Sequence, residues 1–341
     1  METFVRLNDL KQLDLWDPQE ESLSKLASVP DPEDMSLVVM PVGTGKTGVI
    51  TLAPHVFDAQ RTLAIAPNTR IAKELYQNFE PATGKCFYNV VGMDCLSGYE
   101  PDDTYPSVAF ANAEANEQDL DNADVTIATI QKATGGTWCD YLHDAEYDLL
   151  IFDEAHHAPA ESWDSLMASH SSAGKVGFTA TPFRSDGLPL PGNMVYNYPL
   201  ARAVADGYIK VPTYYELRPE DVTFTYEEEE QKAELEEVLK LREEAWFRRG
   251  LCMSESATKK VAQKSIGILE NVREDNRQAQ IIAACASIRQ CRMVESVYQE
   301  LGLEARYIHS KMDTGEQQAV EAQLRNGQID CIAQVQMLGE G

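Results

Sequence analysis

Within this 341-residue chain, the segment Pro41-Val42-Gly43-Thr44-Gly45-Lys46-Thr47 has the residue types that hold a nucleotide's phosphates. Gly43 and Gly45, with Thr44 between them, let the backbone approach closely and turn its N–H groups inward. A helix beginning near Thr47 adds the partial positive charge of its N-terminus. Lys46 supplies a full charge for the β- and γ-phosphates, and the Thr47 hydroxyl can ligate Mg²⁺. The general pattern has a glycine three residues before Gly43, where this chain has Met40. A glycine turn ahead of an ordinary helix is the alternative reading of the same residues.

Asp153-Glu154-Ala155-His156 closes the apolar run Leu149-Leu150-Ile151-Phe152. An aspartate at a strand end can hold Mg²⁺, directly or through water, and the neighbouring glutamate can orient and deprotonate an attacking water. Adjacent carboxylates occur on any surface; their place at a strand end, downstream of a phosphate loop, favours catalysis. Lys46, Asp153, Glu154 and His156 form the catalytic candidates, with Thr47 and Asp153 the metal ligands. His157 has no role that its chemistry dictates.

Positioning these groups calls for an α/β sheet. Candidate strands are 37–40, 62–66, 125–128, 149–152 and 176–179, short apolar runs with helical stretches between them. Such runs indicate buried parallel strands joined by right-handed crossovers. In such sheets the ligand sits at the carboxyl ends of the strands, where both motifs fall. From about 227 to 276 the pattern reads as helical and charged. A second α/β pattern follows, with strands at 280–284, 305–308 and 330–335 and helices over 288–301 and 315–325. The expected domains are 1–212, a largely helical acidic connection over 213–278, and 279–341.

The bulk numbers bound the function. A chain of this length suggests two domains of about 150 residues each. Hydrophobic residues make up 43%, enough for sizeable cores. No apolar run approaches the ~20 residues of a membrane span, and the N-terminus lacks the pattern of a secretory signal; the expected compartment is the cytoplasm. The seven cysteines show no zinc spacing and read as reduced thiols. The net charge of −26 lacks the basic footprint usual for phosphate-backbone binding. The charge is uneven: from Glu216 to Glu244 twelve acids face four bases, the usual composition of a solvated face.

The phosphate loop and Asp153-Glu154-Ala155-His156 together resemble the DEAD/DEAH-box helicases of superfamily 2. His157, Gly177-Phe178-Thr179-Ala180-Thr181-Pro182-Phe183-Arg184 and Ala203-Val204-Ala205-Asp206-Gly207-Tyr208-Ile209 are most similar to the restriction-enzyme helicase subunit branch, with the repair helicases as near neighbours. The resemblance runs through nearly the whole chain, with the motifs in order. It implies two RecA-like P-loop NTPase domains with parallel sheets, the second incomplete at its C-terminus, and a motor that couples hydrolysis of ATP with Mg²⁺ to movement along nucleic acid, DNA rather than RNA, in a restriction or defence setting.

Residue by residue, the resemblance implies that Gln19 reads adenine, whose paired donor and acceptor suit a planar amide. Pro67, Asn68, Thr69 and Arg70, with Thr129 and Gln131, correspond to segments that touch a nucleic-acid backbone, contacts that position without reading sequence. Thr179 and Thr181 correspond to the motif that couples hydrolysis to domain movement, their hydroxyls within reach of His156 or the acidic pair. Ser287, His309 and Lys311 are further strand-contact candidates. Gly339 and Gly341 belong to a segment that touches nucleotide and strand. The family's downstream arginine motif is not found, and the reading is therefore of a fragment that binds ATP better than it hydrolyses it, completed by further chain or partner subunits. A nucleotide-gated binding or signalling module is the alternative; the acidic balance and the missing arginines favour it.

Overall fold

The computed structural model describes residues 11–29, 34–93, 105–157, 160–183, 190–217, 221–226, 229–234 and 253–335. The chain divides into two compact units between Val211 and Pro212.

The first unit opens with helix α1 (Asp17–Ala27), strand β1 (Ser36–Val39) and helix α2 (Lys46–Phe57). Strand β2 (Thr62–Ala66) and helix α3 (Thr69–Phe79) follow, then β3 (Val108–Phe110), β4 (Val125–Thr129), helix α4 (Ile130–Gly135), β5 (Leu149–Phe152), β6 (Gly174–Thr179), β7 (Asn193–Asn197) and helix α5 (Leu200–Ala205). The seven strands form one sheet in the order β3-β4-β2-β5-β6-β1-β7, and every pairing is parallel. Both faces are covered. Leu149 and Ile151 of β5 enter one hydrophobic cluster, and Leu150 and Phe152 enter the other. Burial on two faces explains why the central strands are uninterrupted apolar runs.

All five strands expected in this half are present; β3 and β7 are additions. Both lie at sheet edges, where β7, Asn-Met-Val-Tyr-Asn, has most of its side chains in solvent and no apolar run to reveal it.

In the second unit, strands β8 (Asp221–Tyr226) and β9 (Glu229–Glu234) form an antiparallel hairpin. Over 229–234 this corrects the helical reading that began at about 227, while 227–228 and 235–252 of that stretch lie outside the described residues. Val222, Phe224 and Tyr226 alternate with polar residues at the strand period, and pairing with them overrides the helix preference of the Glu-rich partner. Helix α6 (Glu255–Asp275) precedes β10 (Ile281–Ala284), α7 (Ile288–Glu300), β11 (Ala305–His309), α8 (Thr314–Arg325) and β12 (Cys331–Val335). The parallel sheet runs β10-β12-β11. Helix α6 packs into this unit: Ala262 joins the core of Val294, Val297 and Tyr298, Ser265 meets the Tyr298 hydroxyl at 2.7 Å, and Arg273 pairs with Asp330 at 2.7 Å. Among the described residues, no helix is long and apolar enough to cross a membrane.

Candidate nucleotide site and strand-contact edge

The strand order sorts the motifs. The phosphate loop, the Thr179 segment and the acidic pair follow β1, β6 and β5, three consecutive strands. The segments after β2 and β4 lie side by side beyond them. One stretch of the carboxyl edge thus carries the nucleotide candidates and the next carries the strand-contact candidates. The edge is braced where the motifs leave it: Met40 N–H bonds the Thr179 carbonyl, and Asp153 N–H the Ile65 carbonyl, each at 2.9 Å.

Gly43 and Gly45 turn the loop in left-handed conformation, at φ 86° and 83°, which side chains with a Cβ rarely adopt. Thr44 is buried, its hydroxyl donating to the Pro41 carbonyl at 2.7 Å. Helix α2 begins at Lys46, so the loop delivers the helix N-terminus and its unsatisfied N–H groups to the strand end. A hollow of about 180 Å³ lies there, lined by the loop, Lys46, Thr47, Asp153, Glu154 and the α3 residues Ile71, Glu74 and Leu75.

Lys46, Asp153 and Glu154 are all buried. The Lys46 ammonium contacts Glu154 Oε1 directly and stands 3.7 Å from Asp153 Oδ1. Asp153 Oδ1 also accepts the Glu154 N–H at 2.8 Å, which holds Glu154 at φ 48°. Burial lifts the Asp153 carboxyl from 3.8 to about 6, against the pull of Lys46 and with a further push from Glu154. A desolvated carboxylate and a hydroxyl residue, Asp153 and Thr47, line the same hollow, a donor set that suits Mg²⁺, a cation that usually takes one or two carboxylates and completes its shell with water and phosphate. Among the described residues, no group of three or more His, Cys, Asp and Glu side chains is gathered to hold a metal alone.

His156 Nδ1 lies 2.9 Å from Thr179 Oγ1 and 3.4 Å from Glu154 Oε2. When the Thr179 hydroxyl donates to the Thr181 carbonyl at 2.8 Å, the Nδ1-protonated tautomer of His156 is the one that completes the contact with Thr179. Thr181 returns its N–H to the same hydroxyl. It is Thr179 that reaches His156; Thr181 takes part through its backbone.

Gln19 is buried against the loop. Its Nε2 donates to the Gly45 carbonyl at 2.9 Å, and its Oε1 accepts the Trp16 N–H at 3.0 Å. Gly48, one residue into α2 past Thr47, was no candidate from sequence, yet a Cβ there would overlap both Phe87 Cζ and Gln19 Nε2. A glycine inside a helical stretch was the available signal.

On the neighbouring edge, Asn68 Oδ1 caps α3, accepting the Arg70 and Ile71 N–H groups at 3.0 Å. Gln131 donates to the Pro67 carbonyl at 3.1 Å and joins the two segments. Thr69, Arg70 and Gln131 are exposed, Pro67 is half-buried and Thr129 is buried. In the second unit, Ser287 caps α7 by accepting the Gln290 N–H. His309 is buried, accepts the Lys311 N–H and stacks on Tyr307, while Lys311 is exposed. Gly339, Gly341 and Arg184 lie outside the described residues.

Comparison with known proteins bears on this arrangement. Residues 12–184 match the family described as type III restriction enzyme, res subunit, and residues 263–341 match the helicase conserved C-terminal domain. A 51.5 kDa protein of a Lactococcus phage is 24% identical over 200 residues, 57% of this chain and 39% of that protein. The DNA 3'-5' translocase XPB2 of Sulfurisphaera tokodaii is 24% identical over 221 residues, 61% of this chain and 41% of that protein. The chain thus spans about two-fifths of these curated relatives. Among solved structures, the Hef helicase domain of Pyrococcus furiosus superposes with a TM-score of 0.51 at 13% identity, covering 96% of this chain and 86% of that one. A fragment of a putative HsdR subunit of a type I restriction enzyme from Vibrio vulnificus gives 0.56 at 15%, covering 94% and 54%. These likenesses show the fold, a RecA-like α/β architecture in two domains.

Proposed function

We propose that this chain, which belongs to the family of the type III restriction enzyme res subunit, is the ATP-driven motor core of a nucleic-acid helicase or translocase. One observation carries the reading: Lys46, Asp153 and Glu154 meet at one hollow, with His156 and Thr179 bonded beside Glu154.

In this reading the N–H groups of the loop and the Lys46 ammonium hold the triphosphate. Asp153 and Thr47 hold Mg²⁺, which supplies charge neutralisation on the phosphate oxygens. Glu154, once Lys46 turns to the γ-phosphate, accepts the proton of the water whose oxygen bonds the γ-phosphorus as ADP leaves. His156 and Thr179 carry the state of Glu154 to the segment after β6. Exposed Thr69, Arg70 and Gln131 offer phosphate contacts to a strand on the adjoining edge. DNA is the favoured polymer, supported by the relative named as a DNA translocase. Further chain or partner subunits complete the motor, a reading supported by the chain's share of its relatives' length.

The test is ATP hydrolysis by the protein with Mg²⁺, with and without single-stranded DNA, alongside Glu154→Gln. Strand-stimulated turnover that the substitution abolishes supports the assignment; turnover unchanged by it removes Glu154 from the mechanism. The net charge of −26 favours a second reading, a nucleotide-gated binding module. Strand binding that responds to nucleotide without stimulated hydrolysis would select it.

A further inference from the structure

Gln19 can discriminate between bases only if its amide is held one way round, because a flipped carboxamide exchanges donor and acceptor. Two backbone groups fix it. The Gly45 carbonyl takes one N–H of Nε2, and the Trp16 N–H takes one lone pair of Oε1. One N–H and one lone pair remain uncommitted to these partners. Adenine offers an acceptor at N7 and a donor at N6, which match that pair; guanine offers two acceptors, N7 and O6, which do not.

The orientation therefore depends on the Leu15–Trp16 peptide, which carries the Trp16 N–H ahead of the first turn of α1, and the next peptide, Trp16–Asp17, is held from the other end of the first unit. The Tyr208 hydroxyl accepts the Asp17 N–H at 3.3 Å. The Tyr208 ring lies against the Trp16 indole with centroids 5.3 Å apart, and its edge-to-face neighbour is the fully buried Tyr198 at 6.4 Å. Tyr208 is itself anchored after α5, its N–H donating to the Ala203 carbonyl at 3.0 Å. The Trp16 indole is 48% exposed.

We propose that Tyr208 is a positioning residue for base selection: it clamps the Trp16–Asp17 peptide and the Trp16 ring, and so holds the adjoining Trp16 N–H that fixes the Gln19 amide in the orientation that accepts adenine and rejects guanine. The proposal rests on the ATP reading above and adds a specificity determinant contributed by the last turn of the first unit. Tyr208 touches no nucleotide; it acts through two peptide N–H groups and one amide.

The experiment measures dissociation constants of ADP and GDP by calorimetry for the full chain, for Tyr208→Phe, which keeps the ring, and for Tyr208→Leu, which removes ring and hydroxyl. Tripolyphosphate serves as a probe of the phosphate loop alone. The expected result is that the wild type prefers ADP and that Tyr208→Leu reduces the preference by about tenfold. Tyr208→Phe falls between them, and all three bind tripolyphosphate equally. A merely structural tyrosine would weaken both nucleotides together and leave their ratio unchanged. An unchanged ratio in either variant with a native circular dichroism spectrum overturns the proposal, as does a wild type indifferent to the base. Failure of the wild type to bind either nucleotide overturns the ATP reading itself.

Discussion

The ammonium of Lys46 rests directly on the carboxylate of Glu154. The candidate phosphate-binding charge and the candidate base therefore neutralise each other, inside a buried site where such contacts are strong. A γ-phosphate must compete with Glu154 for the lysine. Replacing Glu154 by Gln removes the competitor without changing the shape. Equilibrium binding of ATP should be at least as tight as in the wild type, while steady-state hydrolysis falls by about 10²–10⁴-fold. Weaker binding with normal turnover would contradict the competition.

Asp153 gives a stability prediction with a definite sign. Its carboxyl titrates near 3.8 when unfolded and at about 6 when buried, so between those values the folded chain binds more protons than the unfolded one. Its contribution to stability is greatest below pH 3.8, is lost as pH rises through 6, and stays lost above. The ionised form costs about 3 kcal/mol at neutral pH. Without divalent cations, Asp153→Asn should therefore be more resistant to urea than the wild type at pH 7.5, and the gap should close toward pH 4. Mg²⁺ should stabilise the wild type and leave the variant unmoved.

Thr179 joins His156, which lies beside Glu154, to the segment after β6 through one hydroxyl, 2.9 Å from His156 Nδ1 and donating to the Thr181 carbonyl. Thr179→Val keeps the volume and deletes the hydroxyl's contacts with His156 and with the Thr181 carbonyl and N–H, whereas Thr179→Ser keeps them. Buried bonds of this kind contribute about 1 kcal/mol each. The expected signature is selective: Thr179→Val retains basal hydrolysis but loses its stimulation by a strand, and Thr179→Ser retains both. Equal loss of both rates in Thr179→Val would make the bond part of the hydrolytic step.

Much of this site was legible in the sequence because buried parallel strands are continuous apolar runs and motifs sit at their ends. Leu149–Phe152 ahead of Asp153 is both signals at once. Edge strands lack that signal, so β7 was missed, and the Glu-rich β9 read as helix because its partner in β8 decides its state. The pairing of His156 with Thr179 was open to inference from residue types. The packing of Gln19 and Phe87 on Gly48, and the clamp of Tyr208 on Trp16, join residues far apart in the chain, and no spacing rule reveals them. The burial of His309 is equally tertiary.

Gly48 separates local propensity from packing. Alanine at an exposed helical position would stabilise by about 1 kcal/mol relative to glycine. Here the added Cβ would meet Phe87 and Gln19, and overpacking costs about 1–3 kcal/mol. Gly48→Ala should therefore lower the unfolding midpoint and weaken ATP binding, although Lys46 and Thr47 are untouched. Phe87→Ala relieves one of the two overlaps, so the double variant should recover part of the stability, measured as a double-mutant cycle. A stabilising Gly48→Ala would show that the two side chains yield freely.

Arg70 and Gln131 lie on the same edge but should answer salt differently. Arg70 carries a full charge and pairs with Glu74 at 3.6 Å, an ion pair of two half-exposed side chains. Gln131 is uncharged and already bonded to the Pro67 carbonyl. A cation that meets a strand phosphate releases counterions, so the slope of log affinity against log salt should flatten by about 0.7 in Arg70→Ala for single-stranded DNA. Gln131→Ala should weaken binding by a similar factor at every salt concentration and leave the slope unchanged. This contrast is needed because the net charge of −26 makes total affinity a poor measure of any one contact: repulsion from the acidic surface also varies with salt. The difference in slope between the two variants cancels that shared background and isolates the phosphate contact. Identical slopes for both variants would remove Arg70 from the strand path.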